Sequence, residues 1–248
     1  MPIEKQILLL AAGKGRRMDS KKNKMLHCLN GMEMILHVIK NCSKVTDNIF
    51  LVYSDHIKNQ VEQFCQIKVK ETILQKYPLG TAHAALLGLP YVRDDSNLCI
   101  IYGDHPLISF DVISDMFCHH LATESAITIL GFEIEDLNMK YGRIILDKEQ
   151  NVKKILEFQF LRMEDKKNSL CNSGIFIFSS QILKKYLPNC FDIDTSTQKE
   201  FFLTDIIEIC YKAGEKISYL PSKINELAFG INTQHELKDA SDIYQKYF

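Results

Sequence analysis

The sequence predicts one α/β domain, a mostly parallel sheet flanked by helices on both faces with an inserted β-rich lobe. Three observations carry this. Short, wholly apolar runs end at glycine or in glycine turns, as strands buried on both faces do. Those runs alternate with segments of helical spacing, which is the signature of βαβ units. Beyond Phe132 the alternation stops, and extended segments flank a polar turn.

In order along the chain, Ile7–Ala12 reads as a buried strand closing at Gly13. Met32–Cys42 carries apolar residues at 32, 35, 36, 38 and 39, the spacing of a helix face. Ile49–Tyr53 reads as a strand, His56–Phe64 as a helix, and Thr81–Leu87 as an alanine-rich helix start. Leu98–Tyr102 is a third apolar strand, ending in the turn Gly103-Asp104. Ser109–Leu121 reads as a helix and Ala126–Phe132 as a strand. Tyr141–Leu146 and Val152–Glu157 flank Asp147-Lys148-Glu149-Gln150-Asn151 and predict a hairpin rather than a crossover. Ser169–Phe178 is a further strand, while Gln159–Asn168 and Asn189–Gln198 read as polar loops. Thr204–Lys212, Ile217–Leu220 and Thr233–Tyr247 close the chain as helix, strand and helix. No internal repeat or linker-like run divides it, so residues 1–248 are expected to form a single domain. In such sheets ligands bind beyond the carboxyl ends of the strands, which is where Gly13 and Asp104 fall.

Composition narrows the function. With 248 residues, 46 % hydrophobic and 25 % charged, the chain is neither disordered nor fibrous. Its formal net charge of −1 disfavours a dedicated nucleic-acid binder. The eight cysteines are scattered singly, with no C-x-x-C pair, so no structural zinc site is signalled. Cys99 and Cys210 sit in apolar runs, where a thiol acts as a small hydrophobe. Reduced thiols in this number point to a cytoplasmic location. The first apolar run is too short to span a membrane.

The sharpest local feature is Leu10-Ala11-Ala12-Gly13-Lys14-Gly15-Arg16-Arg17-Met18. Glycines let the backbone turn tightly and aim several N–H groups at one anion. Six cations follow within this stretch and just beyond it: Lys14, Arg16, Arg17, Lys21, Lys22 and Lys24. A polyphosphate needs such neutralisation. The loop lacks the third glycine of the dinucleotide fingerprint and the G-K-[ST] ending of the P-loop, which disfavours a dehydrogenase or a P-loop ATPase.

This loop, with Lys24 seven residues after Arg17, resembles that of the sugar nucleotidyltransferases, or sugar-nucleotide pyrophosphorylases. Gln75-x-x-Pro78-Leu79-Gly80-Thr81-Ala82-His83-Ala84, Tyr102-Gly103-Asp104-His105-Pro106-Leu107 and Tyr141-Gly142-Arg143-Ile144 extend the likeness. Glu157, Asn172-Ser173-Gly174, Phe202-Leu203-Thr204-Asp205 and Gly230-Ile231-Asn232 follow in order, so that the resemblance runs over residues 5–240. It is strongest to the N-acetylglucosamine-1-phosphate uridylyltransferase branch, which forms one half of bifunctional uridylyltransferase/acetyltransferase proteins. The resemblance implies a Rossmann-like nucleotide-diphospho-sugar transferase fold with a sugar-binding lobe. The implied reaction is attack of a sugar 1-phosphate on the α-phosphorus of UTP. By resemblance, Ala11, Ala12, Gly13, Lys14 and Gly15 hold the nucleotide, and Gln75, Gly80 and Thr81 meet the uracil. Arg17 and Lys24 neutralise the phosphates, Asp104 and Asn232 hold Mg2+, and Gly142, Glu157, Asn172 and Thr204 bind the sugar.

Several readings of single residues stay local. Asn232 and Asp205 could each cap the helix that follows. His83 is expected to pack rather than act, and His119-His120 to form a polar helix face. Four positions depart from the family pattern. Arg16 replaces a small Thr, Asn23 replaces a Pro and is expected to loosen the loop, and His105 replaces an apolar residue beside Asp104. That histidine is expected either to stand by as a neutral ring or to make metal binding pH-sensitive. Gln159 stands where a Lys is usual two residues after the Glu, so Arg16 or Lys154 is the expected substitute cation for the sugar phosphate. No hexapeptide repeat occurs, so no left-handed β-helix acetyltransferase domain is expected within these residues. The family trimer depends largely on that domain, and a monomer or weak dimer is therefore expected.

Overall fold

A computed structural model describes residues 3–13, 15–20, 22–65, 68–192 and 200–248. The first half is built of β1 (Glu4–Ala11), the small hairpin β2 (Cys28–Leu29) and β3 (Met32–Glu33), α1 (Met34–Cys42), β4 (Ile49–Tyr53), α2 (Lys58–Cys65), β5 (Glu71–Leu74), α3 (Thr81–Gly88), β6 (Ser96–Tyr102) and α4 (Phe110–Ala122). The second half adds β7 (Ile127–Glu133), β8 (Arg143–Leu146), β9 (Val152–Leu156), β10 (Leu170–Ser179), α5 (Ser180–Tyr186), α6 (Asp205–Lys212), β11 (Ile217–Pro221) and α7 (Gln234–Tyr247).

The sheet order is β11-β7-β10-β6-β1-β4-β5, with the β8–β9 hairpin joined to β10. β1 is central and parallel to both neighbours, with Leu9 paired to Leu51 on one side and to Ile101 on the other. This position explains the apolar run Ile7–Ala11 within it, since Ile7, Leu8 and Leu9 are all fully buried. Alternate residues feed opposite cores. Leu8 and Leu10 join Phe50, Val52, Leu98 and the α3 alanines on one face. Ile7, Leu9 and Ala11 join Val38, Ile39, Met116 and Phe117 of α1 and α4 on the other. α3 lies so close to the sheet that a Cβ at Gly88 would stand 2.6 Å from Leu8 Cδ1.

β10 is antiparallel to both β6 and β7, and β11 is parallel to β7. The sheet is therefore mostly parallel, with β10 alone reversed among the strands of this path. From β1 the chain moves outward to β4 and β5, then returns to the opposite side of β1 to form β6. That reversal opens a crevice at the carboxyl ends of β1 and β6. The β-rich lobe is the β8–β9 hairpin, which reaches β10 through the pair Arg143–Cys171.

Most expected elements are present, and the differences are local. Met32 and Glu33 belong to the β2–β3 hairpin rather than to the helix that follows. The helix expected from His56 opens as a tight turn at Asp55–Ile57. β5 and α5 were not foreseen. The expected Gln159–Asn168 loop contains part of one tight helical turn, Phe158–Phe160, and all of another, Asp165–Lys167. A tight helical turn, Leu187–Phe191, takes up the first three residues of the other expected loop, Asn189–Gln198, while residues 193–199 lie outside those described. His120 is buried rather than part of a polar face, and its Nδ1 pairs with Thr128 Oγ1 at 2.9 Å. Burial, reinforced by His119, pushes this imidazole down to about 4, so it is neutral. Cys42, Cys99, Cys171, Cys190 and Cys210 are buried as free thiols. No helix among the described residues is long and apolar enough to cross a membrane.

Candidate active site

A cleft of about 660 Å³ opens at the carboxyl ends of β1 and β6 and runs toward the β-rich lobe. Leu10, Ala12, Gly13 and Gly15 form its floor at one end. Gly15 adopts φ 62° and folds the loop back on Lys24, where an added Cβ would stand 2.4 Å from Lys24 Cβ. Asn23 does not slacken this loop. Its side chain accepts a hydrogen bond from the Met25 N–H at 3.0 Å and caps the turn Lys24–Leu26. Ala11 does not line the cleft, because strand alternation turns it into the α1–α4 core. Lys14 and Lys21 lie outside the described residues, as does the side chain of Arg16.

Four predicted residues meet at this end. The Lys24 ammonium, only 7 % exposed, contacts Asp104 Oδ2 and donates to Asn232 Oδ1 at 2.8 Å. Arg17 Nη2 donates to the same Asn232 oxygen at 2.7 Å. Burial alone would raise the Asp104 carboxyl, but the charge of Lys24, followed by His105, holds it well below the usual carboxylate range. Asn232 is not the helix cap. Thr233 caps α7 in a reciprocal box with Glu236, leaving the Asn232 side chain to the cleft.

His105 was read as a bystander or a pH sensor, and its position is more specific. Its Nε2 donates to the Ser173 carbonyl at 2.8 Å. Its Nδ1 lies 2.9 Å from Asp104 Oδ1 but is not aligned for a hydrogen bond, and both atoms are buried without another partner. Gly230 makes room for the ring, since a Cβ there would stand 3.0 Å from His105 Cε1.

The donor set fits a hard divalent cation. Asp104 Oδ2 and Asn232 Oδ1 already converge on one positive centre, the Lys24 ammonium. Among the described residues no cluster of three His, Cys, Asp or Glu side chains is placed to hold a metal ion. Two oxygen ligands leave the remaining positions to water and phosphate oxygens, which is how Mg2+ is commonly held.

The middle of the cleft is lined by Gln75, Gly80 and Thr81. Gly80 has φ 109°, and a Cβ there would stand 2.2 Å from the Phe201 carbonyl oxygen, so only glycine fits. Phe201 N donates to Leu79 O at 2.8 Å, Ala82 N to Phe201 O at 3.0 Å, and Leu203 N to Thr81 Oγ1 at 2.9 Å. These bonds fasten the 79–82 loop to residues 201–203. The Gln75 side chain is held by Gly80 and by His83, which the sequence reading had assigned to packing.

At the far end, Thr204 Oγ1 donates to Glu157 Oε1 at 2.7 Å. Burial raises the Glu157 carboxyl, partly offset by this bond. Asn172 N donates to Gly142 O at 2.9 Å, and Asn172 Oδ1 accepts from Gly174 N at 2.9 Å. The Gly142 loop is fixed from behind by Arg143, which is fully buried and forms no salt bridge among the described residues. Its guanidinium donates instead to the carbonyls of Leu137, Met139, Tyr141 and Asn168. Asp205 is the first residue of α6 and does not cap it.

Gln159 is exposed and does not line the cleft, and neither does Lys154. Lys140 does, together with Glu200 and Phe202. Lys140 and Glu200 carry no expectation from the sequence, and Phe202 enters there only as part of the Phe202-Leu203-Thr204-Asp205 motif. Lys140 lies one residue before the Tyr141-Gly142-Arg143-Ile144 motif, which is the only signal that could have marked it.

Residues 6–226 match the family model described as nucleotidyl transferase. The chain is 31 % identical over 239 residues to the bifunctional protein GlmU of Alkaliphilus metalliredigens, covering 96 % of this chain and 52 % of that protein. It is 36 % identical over 242 residues to the bifunctional protein GlmU of Buchnera aphidicola from Acyrthosiphon pisum, covering 97 % and 51 %. The chain thus spans about half the length of these relatives. Among solved structures, UDP-glucose pyrophosphorylase complexed with UDP-glucose superposes with a TM-score of 0.73 at 18 % identity, over 99 % of this chain and 100 % of that one. A Bacillus anthracis structure with bound sucrose, provisionally described as a glucose-1-phosphate thymidylyltransferase, gives 0.75 at 19 %, over 99 % and 97 %. At these identities the two structures establish the shared nucleotide-diphospho-sugar transferase fold.

Proposed function

Because this chain belongs to the nucleotidyl transferase family, we propose that it catalyses magnesium-dependent transfer of a uridylyl group from UTP to N-acetylglucosamine 1-phosphate, releasing pyrophosphate. One observation supports this above the rest. A cationic and metal-competent cluster of Arg17, Lys24, Asp104 and Asn232 lies at one end of a single cleft, and a polar pocket of Gly142, Glu157, Asn172 and Thr204 at the other.

The chemistry asks for positioning more than for proton transfer. A phosphate monoester oxygen is already ionised near neutral pH, so it can attack the α-phosphorus without a general base. A new P–O bond forms, and the bond to the pyrophosphate oxygen breaks with its electron pair. Negative charge accumulates on the leaving group, and Arg17 and Lys24, which both donate to Asn232, would neutralise it. Mg2+ held by Asp104 and Asn232 would supply further neutralisation of phosphate charge. Gly13 and Gly15 leave backbone beside the phosphates uncovered by side chains. Gln75 and Gly80 meet the base, and Glu157, kept in place by Thr204, accepts from sugar hydroxyls.

A second reading within the class is transfer to a different sugar phosphate. The exposed position of Gln159 favours it, because the usual Lys is replaced while Lys140, on another segment, lines the cleft. Pyrophosphate release with UTP, Mg2+ and a panel of sugar 1-phosphates tests both, with Asp104→Asn as the blank. Turnover greatest with N-acetylglucosamine 1-phosphate supports the first reading, and turnover greatest with another sugar supports the second. Absence of turnover with every sugar, despite measurable UTP binding, refutes both.

A further inference from the structure

The hydrogen bonds around Gln75 decide which end of its amide faces a ligand. Gln75 Nε2 lies 3.1 Å from Gly80 O and 2.9 Å from His83 Nδ1. A carbonyl oxygen only accepts, so the group turned to Gly80 is the NH2. Its second hydrogen then points at His83 Nδ1, which must carry a lone pair. Burial lowers the pKa of His83, against a smaller opposing pull from the Tyr77 carbonyl, and this favours the neutral ring that the bond requires. Both donors of the amide are therefore spent inside the protein. Oε1 accepts no hydrogen bond from any described residue, and Gln75 lines the cleft. What this side chain offers a ligand is an acceptor alone.

We infer that His83 is a positioning residue for base selection. By accepting from Gln75 Nε2, it keeps the amide oxygen turned toward the cleft. The site then takes a base whose ring edge presents an N–H, the imide of uracil, and rejects one that presents a ring-nitrogen lone pair there, as cytosine does. This rests on the reading above that Gln75 meets the base. The Gly80 carbonyl holds one of the two N–H groups by itself, so loss of His83 loosens the amide rather than freeing it.

Isothermal titration of UTP and of CTP with Mg2+, without sugar phosphate, provides the test. The wild type should prefer UTP. In His83→Leu the ratio of the two dissociation constants should fall about tenfold, the scale of one hydrogen bond and its desolvation, with the loss falling on UTP. His83→Asn places an amide oxygen where Nδ1 stands and should keep the ratio within about threefold of the wild type. A ratio unchanged in His83→Leu while both constants rise together overturns the assignment alone, leaving His83 a packing residue. A ratio that falls as far in His83→Asn as in His83→Leu also overturns it. Wild-type affinity for CTP equal to or above that for UTP overturns the base-facing role of Gln75, and this inference with it.

Discussion

Lys24 and Asp104 are separated by 80 residues and meet as a buried ion pair at the head of the cleft. The same ammonium bonds Asn232, so one side chain spans the two oxygens that would grip a divalent cation. In Lys24→Ala the Asp104 carboxylate is left without its main counter-charge. The rate of pyrophosphate release should fall by about 10²–10³-fold, as for loss of a preorganised electrostatic contact. Stability carries a pH signature. Because the folded-state pKa of Asp104 is depressed, the pair stabilises the fold above the unfolded value of about 4. That contribution is lost as pH falls further. The wild type should melt above Lys24→Ala near neutral pH, and the gap should close in acid, as followed by circular dichroism.

Lys140 faces the cleft beside the sugar pocket, where Gln159 does not reach. Lys140→Ala should raise KM for the sugar 1-phosphate about tenfold and change kcat little, since a contact made equally in ground and transition states affects binding alone. A fall in kcat with KM unchanged would show that this cation serves the reacting centre instead.

Arg143 has no exposed surface, and backbone carbonyls take the place of water around its guanidinium. Arg143→Met leaves those carbonyls without donors. The cost should be on the order of 3 kcal/mol, read from urea midpoints. The Gly142 loop should shift with it, so sugar-phosphate KM should also rise in whatever fraction stays folded.

Burial, and then the charge of Glu157, push the Asp205 carboxyl up to about 6. An unfolded Asp titrates near about 3.9. A raised folded value means that the group favours the fold below the unfolded value and loses that contribution as pH rises through about 6. Asp205→Asn carries no charge at any pH. It should therefore melt above the wild type at about pH 8, and the difference should vanish toward about pH 4. A variant less stable than the wild type at the higher pH would show that the carboxylate matters more at the α6 terminus than it costs beside Glu157.

The sheet core was legible because Ile7–Ala11 of β1, Ile49–Val52 of β4 and Leu98–Ile101 of β6 are buried and apolar without a break. β5 escaped because it is an edge strand in which Ile73 alone is buried. α5 escaped because it is short, and Lys184 and Lys185 hide its buried Leu183 and Tyr186. In the cleft, the glycine loop and Asp104 could be placed from the strands that precede them. Lys140 could not, because its approach depends on Arg143 drawing in the loop before it. Nor could the role of His83, which exists only once Gln75 is folded against Gly80. Thr233 rather than Asn232 caps α7 because a Glu stands three residues after the threonine, a box that the sequence itself carries.

The placement of Asn232 has a consequence for temperature. α7 packs with Leu29, Met34, Leu107 and Ile231 in a small cluster of its own, apart from the two large cores that flank the sheet. Asn232 is tied to that helix through Glu236. Elements with the least buried apolar contact open first on warming. If α7 detaches first, Asn232, the proposed metal ligand, would leave the cleft while the sheet still stands. Catalysis should therefore fade below the unfolding transition and return on cooling, making heat a reversible throttle on this reaction.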